Sequence, residues 1–179
     1  MFRRVQGRAA FSNTLVVALL MWPAGVPAST TPPGQQQEAP AFSLSDSQGA
    51  SVTLSHYKGE VVLLDFWATW CHGCKTEIPW YVEFQRKYKV SGLAAIGVSM
   101  DDDGWTSVRP FLKNHRLNYP VVIGSRELAD RYGVDNMPVT LLIDRDGKIA
   151  VSHSGLVNRA GFEREIRLLL QEKDRRAIR

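Results

Sequence analysis

Cysteine is scarce in this chain, with only Cys71 and Cys74 among 179 residues. A fold stapled by several disulfides is therefore excluded. A bond between these two would close a four-residue loop, and the chain-entropy model gives such a loop roughly 2 kcal/mol, against roughly 4.7 kcal/mol for a hundred-residue loop. Covalent c-type haem is also excluded, because Lys75 stands where a His would have to follow the second cysteine. The pair therefore indicates reversible thiol chemistry rather than a passive staple.

The sequence also lacks a second cysteine pair that would complete a four-ligand zinc site. The other soft ligands are histidines, none of which pair at ligand spacing: His56, His72, His115 and His153. We therefore expect no metal and no cofactor beyond the dithiol itself. A copper or zinc carrier that uses the cysteine pair together with His72 is the alternative outside enzyme catalysis.

Acidic residues are absent before Glu38, and no apolar run is long. The eight-residue stretch Leu15–Trp22 is too short for a comfortable transmembrane helix, which needs about 20 residues. It follows a basic start and precedes the small-residue site Val26–Ala28, so residues 1–28 are predicted to be a signal peptide. We expect an extracytoplasmic location, in the bacterial periplasm or cell envelope. An uncleaved leader would instead anchor the protein to the membrane.

Residues 29–41 are rich in proline and glutamine, so we expect a disordered linker there. Residues 172–179 form a basic C-terminal tail. The formal net charge of +4 falls to +1 without residues 1–28, because three arginines leave with the leader. The basicity is thus mainly a targeting feature, and it does not support nucleic-acid binding.

Strand and helix patterns begin at Phe42 and predict an α/β fold. Phe42–Leu44 and Ser51–Leu54 alternate apolar and polar residues around a turn, as a β-hairpin does. The nearly continuous apolar runs Val61–Trp67 and Leu93–Ser99 predict strands buried on both faces. The other predicted elements are helices at 73–89, 105–115 and 127–132, strands at 121–123, 139–144 and 148–153, and a final amphipathic helix capped by Asn158.

The segment Asp65–Pro79, DFWATWCHGCKTEIP, resembles the active-site stretch of the thioredoxin superfamily. It is most similar to the exported TlpA/ResA-type thiol-disulfide oxidoreductases, within the AhpC/TSA–Redoxin group. The likeness covers about residues 41 to 171 and includes the blocks Tyr132–Val134, Met137–Pro138 and Leu142–Ile149. The resemblance implies one thioredoxin-like domain over residues 42–171. Its central mixed β-sheet would be flanked by helices and preceded by an N-terminal β-hairpin extension.

Four residues are the candidate catalytic set. Cys71, at a helix start, is expected to be exposed and to attack as the thiolate, while Cys74, one turn further, resolves the mixed disulfide. Asp65 interrupts an apolar strand and matches the buried acid of thioredoxins, which moves the proton of the second cysteine. Glu77 lies three residues after Cys74, on neighbouring helix surface, and matches an active-site acid of the TlpA/ResA type. The alternatives are a solvated Asp at a strand edge and an ordinary first-turn Glu.

Substrate contacts are expected from Trp70, His72, Met137 and Pro138. Pro138 matches the cis-proline that faces the cysteines in this fold, which would present the Met137 backbone to an extended substrate. Trp67 and Trp70 are expected to wall the site. His72 departs from the common family pattern: a protonated ring could stabilise the thiolate, or the side chain could simply face solvent.

The predicted function is exported thiol–disulfide exchange on protein thiols and disulfides, as a reductant that an upstream redox partner resets. The alternative enzyme is a thiol peroxidase of the peroxiredoxin type. Related peroxidases place a Thr three residues before the reactive cysteine, whereas Thr69 is two before Cys71. The direction of electron flow is left open by the sequence.

Overall fold

The computed structural model describes residues 37–177, with side chains through residue 172. Every element predicted from the sequence is present, with ends shifted by at most a few residues. Short 3-10 helices at Leu54–Tyr57 and Lys89–Ser91 were not predicted. In chain order the elements are β1 Ser43–Ser45, β2 Ser51–Thr53, β3 Val61–Trp67, α1 His72–Tyr88, β4 Leu93–Ser99, α2 Trp105–His115, β5 Val121–Ile123, α3 Arg126–Arg131, β6 Val139–Ile143, β7 Ile149–Ser154 and α4 Arg159–Ala177.

A five-stranded mixed sheet in the order β5-β4-β3-β6-β7 forms the centre of the domain. Strand β3 runs parallel to β4 and antiparallel to β6, which places Asp65 opposite both Gly97 and Thr140. β1 and β2 form a separate antiparallel hairpin, which meets the edge of the sheet through the bridge between Asp46 and Val122. The expected central mixed sheet and N-terminal hairpin are confirmed.

Helices cover both faces of the sheet, so β3 and β4 are buried along their whole length. On one face Leu63 and Trp67 pack in a cluster with residues of α1, α2 and α4. On the other face Leu64 and Phe66 pack with α3 and the hairpin. Since side chains alternate between faces along a strand, Asp65 points to the same side as Trp67, toward α1.

Two helix caps fix the ends of the elements nearest the cysteines. At the start of α1, Cys71 is the N-cap residue. At the start of α4, the Asn158 side-chain oxygen accepts a hydrogen bond from Gly161 N–H at 2.9 Å, as the sequence predicted. Since β3 ends at Trp67 and Cys71 caps α1, the cysteine pair lies at the carboxyl end of the central strand.

The predicted linker boundary at residue 41 is wrong. Ala39 N–H donates to Gly147 O, and the Tyr132 hydroxyl donates to Pro40 O, so residues 37–41 pack on the domain. The predicted signal peptide and residues 29–36 lie outside the described residues. The final helix continues to Ala177, through most of the predicted tail. Among residues 37–177, no helix is long and apolar enough to span a membrane.

Candidate active site

Cys71 and Cys74 are joined by a disulfide at the N-terminus of α1, with their Cα atoms 5.4 Å apart. The Cys71 sulfur accepts a hydrogen bond from the Cys74 backbone N–H at 3.2 Å. This N–H is one of the donors that a helix leaves unpaired in its first turn. When the bond is reduced, the same donor and the helix dipole stabilise a thiolate at Cys71.

The prediction that Cys71 is exposed is wrong for this disulfide-bonded state. Cys71 is 6% exposed and Cys74 is fully buried. The sulfur of Cys71 is bonded to Cys74 and turned onto the helix start, which removes most of its surface from solvent. Cys71 nevertheless retains the only accessible surface of the pair, so an external thiol can approach only from its side.

Asp65 is buried, with 1% exposure, so the alternative of a solvated strand-edge Asp is wrong. Neither of its carboxylate oxygens has a hydrogen-bond partner among the described residues. Burial raises the pKa of Asp65 well above its ordinary value, the negative charge of Glu77 raises it further, and the side chain of Thr140 on the neighbouring strand partly opposes the shift. The carboxyl group therefore keeps its proton to a higher pH than an exposed Asp does.

Glu77 is also fully buried, which corrects the prediction that it lies on the helix surface. Its Oε1 accepts a hydrogen bond from Val157 N–H at 2.6 Å, across the gap between α1 and the segment before α4. Burial raises the pKa of Glu77, and the hydrogen bond from Val157 opposes that shift. The structure thus holds two carboxyl groups with raised pKa values in the same part of the core.

The predicted substrate contacts surround the disulfide. Trp70 is 65% exposed, and His72 is exposed in the first turn of α1. The Met137–Pro138 peptide bond is cis, and Pro138 packs so closely that a Cβ on Gly73 would lie 3.2 Å from its Cδ. The four residues that were predicted to contact substrate therefore lie in one region, and their contact with substrate stays a prediction.

Trp67 does not wall the site, contrary to the expectation. It is fully buried, and its ring packs against Phe111 at a centroid distance of 4.8 Å. The physical reason is position along the chain: Trp67 is the last residue of β3, which is buried on both faces, whereas Trp70 lies in the turn that follows.

Two groups of polar residues at the site were not found from the sequence. Asp101 accepts hydrogen bonds from the backbone N–H and hydroxyl of Thr69 and from the Ser99 hydroxyl, which fixes the turn before Cys71. The Tyr81 hydroxyl pairs with that of Thr140 at 2.8 Å, next to Asp65 in the sheet register. For the Tyr81–Thr140 pair, the only signal in the sequence was a Thr in an apolar strand. The group around Asp101 gave no signal, because it depends on contacts between segments that are distant in the sequence.

The geometry bears on both alternatives. A thiol peroxidase would need the Thr69 hydroxyl to donate a hydrogen bond to the peroxide. Here that hydroxyl donates its hydrogen bond to Asp101 instead, which disfavours the peroxidase alternative. Within the part of the chain that the structure describes, no three Cys, His, Asp or Glu side chains form a group that could hold a metal ion.

A mixed sheet with a disulfide at the first turn of the helix after its central strand, faced by a cis-proline, defines a thioredoxin-like protein. Solved structures support this class. A proposed thiol:disulfide interchange protein DsbE from Chlorobium tepidum superposes with a TM-score of 0.72 at 34% sequence identity, over 75% of this chain and 96% of that chain. The expected thioredoxin-like fold is thereby confirmed.

The chain belongs to the AhpC/TSA family, whose model matches residues 35–152. A thiol-disulfide oxidoreductase ResA from Bacillus thuringiensis subsp. konkukian is 39% identical over 114 residues. That match covers 63% of this chain and 65% of the relative, so the chain spans somewhat under two thirds of that relative's length. The ResA of Geobacillus kaustophilus is 33% identical over 72% of this chain and 74% of the relative.

Proposed function

We propose that this protein is a thiol-disulfide oxidoreductase that exchanges disulfides with protein partners through Cys71 and Cys74. The observation that carries the proposal is the Cys71 sulfur bonded to Cys74 while it accepts the first-turn N–H of α1. A helix N-terminus at this sulfur favours its release as a thiolate, which is the reactive form. The relatives named thiol-disulfide oxidoreductase support the same activity.

In the reducing direction, the Cys71 thiolate attacks one sulfur of a partner disulfide. A mixed disulfide forms, and the partner's other sulfur leaves as a thiolate that takes up a proton. The Cys74 thiol then loses its proton and attacks Cys71, which releases the partner's second sulfur as a thiol. Two electrons pass to the partner, and the Cys71–Cys74 disulfide is restored.

In its ionised form, the buried Asp65 accepts the proton that the Cys74 thiol must lose, and it releases that proton before the next cycle. A buried thiol has no water to take its proton, and an acid with a raised pKa is closer to a thiol in proton affinity than an exposed Asp is. Glu77 raises the pKa of Asp65 through its charge, so it adjusts the same proton transfer from the helix side.

We further propose that the protein acts as a reductant outside the cytoplasm, exported by residues 1–28 and reset by an upstream redox partner. The leader-like pattern of those residues supports export. A redox titration of the cysteine pair against glutathione tests the direction. A potential near that of thioredoxin, about −270 mV, supports a reductant, and one near about −120 mV would indicate an oxidant.

The cysteine roles are tested by two matched variants in an insulin-reduction assay. Cys71→Ser is expected to lower the rate by more than about 100-fold, because it removes the attacking thiolate. Cys74→Ser is expected to accumulate a mixed disulfide with the partner, visible as a shifted band without reductant, since nothing resolves it. If Cys71→Ser kept the rate of the native protein, or if neither variant affected exchange, the proposal would be wrong.

A further inference from the structure

We propose that a groove beside the disulfide selects partner segments that carry Lys or Arg close to the exchanged cysteine. This inference rests on the proposed function, because it names the class of protein segment that the same site takes. The residues that set the preference are Asp102 and Asp135, which the sequence pattern did not single out.

The groove lies beside the disulfide, and residues next to Cys71 and Pro138 line it, although neither cysteine does. It has a volume of about 570 Å³, within the range of small-ligand sites, and Trp70 and Met137 line its near end. Trp70 directly precedes Cys71, and Met137 directly precedes Pro138, which packs on Gly73. A chain whose cysteine is bonded to Cys71 would therefore place its neighbouring residues in this groove.

The floor of the groove is apolar and adaptable. Met100, Ile123 and Met137 line it half-buried, and the buried Val134 lines it as well. Methionine side chains are unbranched and flexible, so they fit differing partner side chains without strong selection. Trp70 adds a large exposed ring at the entrance. The floor can therefore bind many segments and does not by itself explain selectivity.

The charges on the groove are mostly negative. Asp101, Asp102 and Asp135 line it, and the single cation is Arg126, which forms a 2.9 Å ion pair with Asp130. Asp101 is only 5% exposed, and its carboxylate already accepts hydrogen bonds from Thr69 and Ser99. It therefore stabilises the domain and is not available to a partner.

Asp102 and Asp135 differ from Asp101, because both are exposed. Their side chains form no hydrogen bond or ion pair with another residue of the described range 37–172. These two carboxylates are therefore available to a partner. A Lys or Arg in the bound segment would pair with them, whereas a Glu or Asp would be repelled. Because both carboxylates are exposed, each ion pair with the partner contributes only modestly to binding. The preference for Lys or Arg is therefore expected to weaken as the salt concentration rises.

Three peptides test the preference. Each carries the same internal disulfide and the same sequence, with two Lys, two Gln or two Glu beside the cysteines. The second-order rate at which each oxidises the reduced protein is followed by tryptophan fluorescence at low salt. Each rate is divided by the rate of dithiothreitol with the same peptide, which corrects for the peptide's own reactivity.

The native protein is expected to prefer the Lys peptide to the Glu peptide by about tenfold, since two exposed charge pairs each contribute a few-fold. The double variant Asp102→Asn/Asp135→Asn is expected to reduce this ratio to within about twofold. Glu60→Gln removes one negative charge at the opposite end of β3 and is expected to keep the native ratio. High salt is expected to reduce the native ratio as well.

The inference would be wrong if the native protein reacted with the three peptides at equal normalised rates. That result would show that the charge of the partner segment does not affect its binding in the groove. The inference would also be wrong if the double variant kept the native ratio, or if Glu60→Gln lowered the ratio equally. Failure of the proposed function looks different: the native protein would then react with none of the peptides and would not reduce insulin. That result would overturn both proposals.

Discussion

Asp65 illustrates how far a single residue can be assigned from its neighbours in the sequence. A carboxylate in an apolar strand is costly to bury, so its presence already indicated a task or a partner. The sequence did not show that both carboxylate oxygens lack hydrogen-bond partners among the described residues, or that Glu77 is buried as well. Those features depend on helix α1 lying over the sheet and on the Val157 N–H that meets Glu77 from the far end of the chain.

The raised pKa of Asp65 predicts a pH-dependent stability. A carboxyl group whose pKa is higher in the folded protein than in the unfolded one binds its proton more tightly when folded. The free energy of unfolding therefore falls as the pH rises from the unfolded pKa toward the folded one. With the disulfide intact, the native protein is expected to have a lower urea midpoint at pH 8 than at pH 5.

Asp65→Asn is expected to flatten this dependence and to raise the midpoint at pH 8, because the charge that is costly to bury is gone. Some slope should remain, since the pKa of Glu77 is raised in the same direction. Urea titrations at intervals from pH 5 to pH 8 measure both effects. An Asn variant with the native slope would show that Asp65 does not carry the pH dependence.

At the scale of the element, strands and helices were predictable because burial imposes a repeat on the residues. The continuous apolar run of β4 identified it as a central strand, and the structure buries all of it. Register was not predictable, because a run that is apolar on both faces does not show which residue lies opposite which. The pairing of Asp65 with Gly97 and Thr140 is therefore a result of the tertiary structure.

Gly97 is predicted to be required by this register. A Cβ at position 97 would lie 2.9 Å from the indole nitrogen of Trp67 and 3.2 Å from Cγ2 of Val121. Because the Trp67 ring is fully buried and cannot move aside easily, Gly97→Ala is expected to destabilise the domain by about 1–3 kcal/mol. Urea unfolding of the oxidised protein measures the loss.

Gly161→Ala is the matched control for that substitution. Gly161 lies in the first turn of α4, where the nearest atom to a new Cβ is at 3.4 Å, an ordinary contact. Alanine is a better helix former than glycine, so no loss of stability is expected there. If both variants lost the same stability, overpacking at Gly97 would not be the cause.

On the scale of the whole molecule, the site is assembled by elements distant in sequence. Helix α4 packs on the same face of the sheet as α1. The ring of Phe162 on α4 lies 5.8 Å from the ring of Tyr81 and 6.4 Å from the ring of Phe84, both on α1. The segment before α4 donates Val157 N–H to Glu77 and Gly155 N–H to Pro138 O. The C-terminal part of the chain therefore supports both the acid and the proline of the site.

Phe162→Ala is expected to lower the free energy of unfolding by about 3–5 kcal/mol, because it leaves a cavity among these rings. Leu168→Ala, on the same helix but 49% exposed, should change it by less than about 0.5 kcal/mol. Denaturant titration of both oxidised variants provides the comparison. Equal effects at the two positions would show that the packing of α4 is not what stabilises the domain.

The sequence by itself determined the reactive pair, its place after a buried strand, the strand and helix order, and the candidate residues Asp65, Glu77, Trp70 and Pro138. The reactive pair and the order of the elements follow from residue chemistry and short-range periodicity, whereas the roles of Asp65, Glu77 and Pro138 also rest on the resemblance of this chain to the thioredoxin superfamily. Only the tertiary structure decided that Cys71 is largely covered, that Glu77 is buried, that Trp67 belongs to the core, and that a groove with two exposed carboxylates adjoins the disulfide. Each of these depends on which distant segments pack together, and packing is decided by the whole chain.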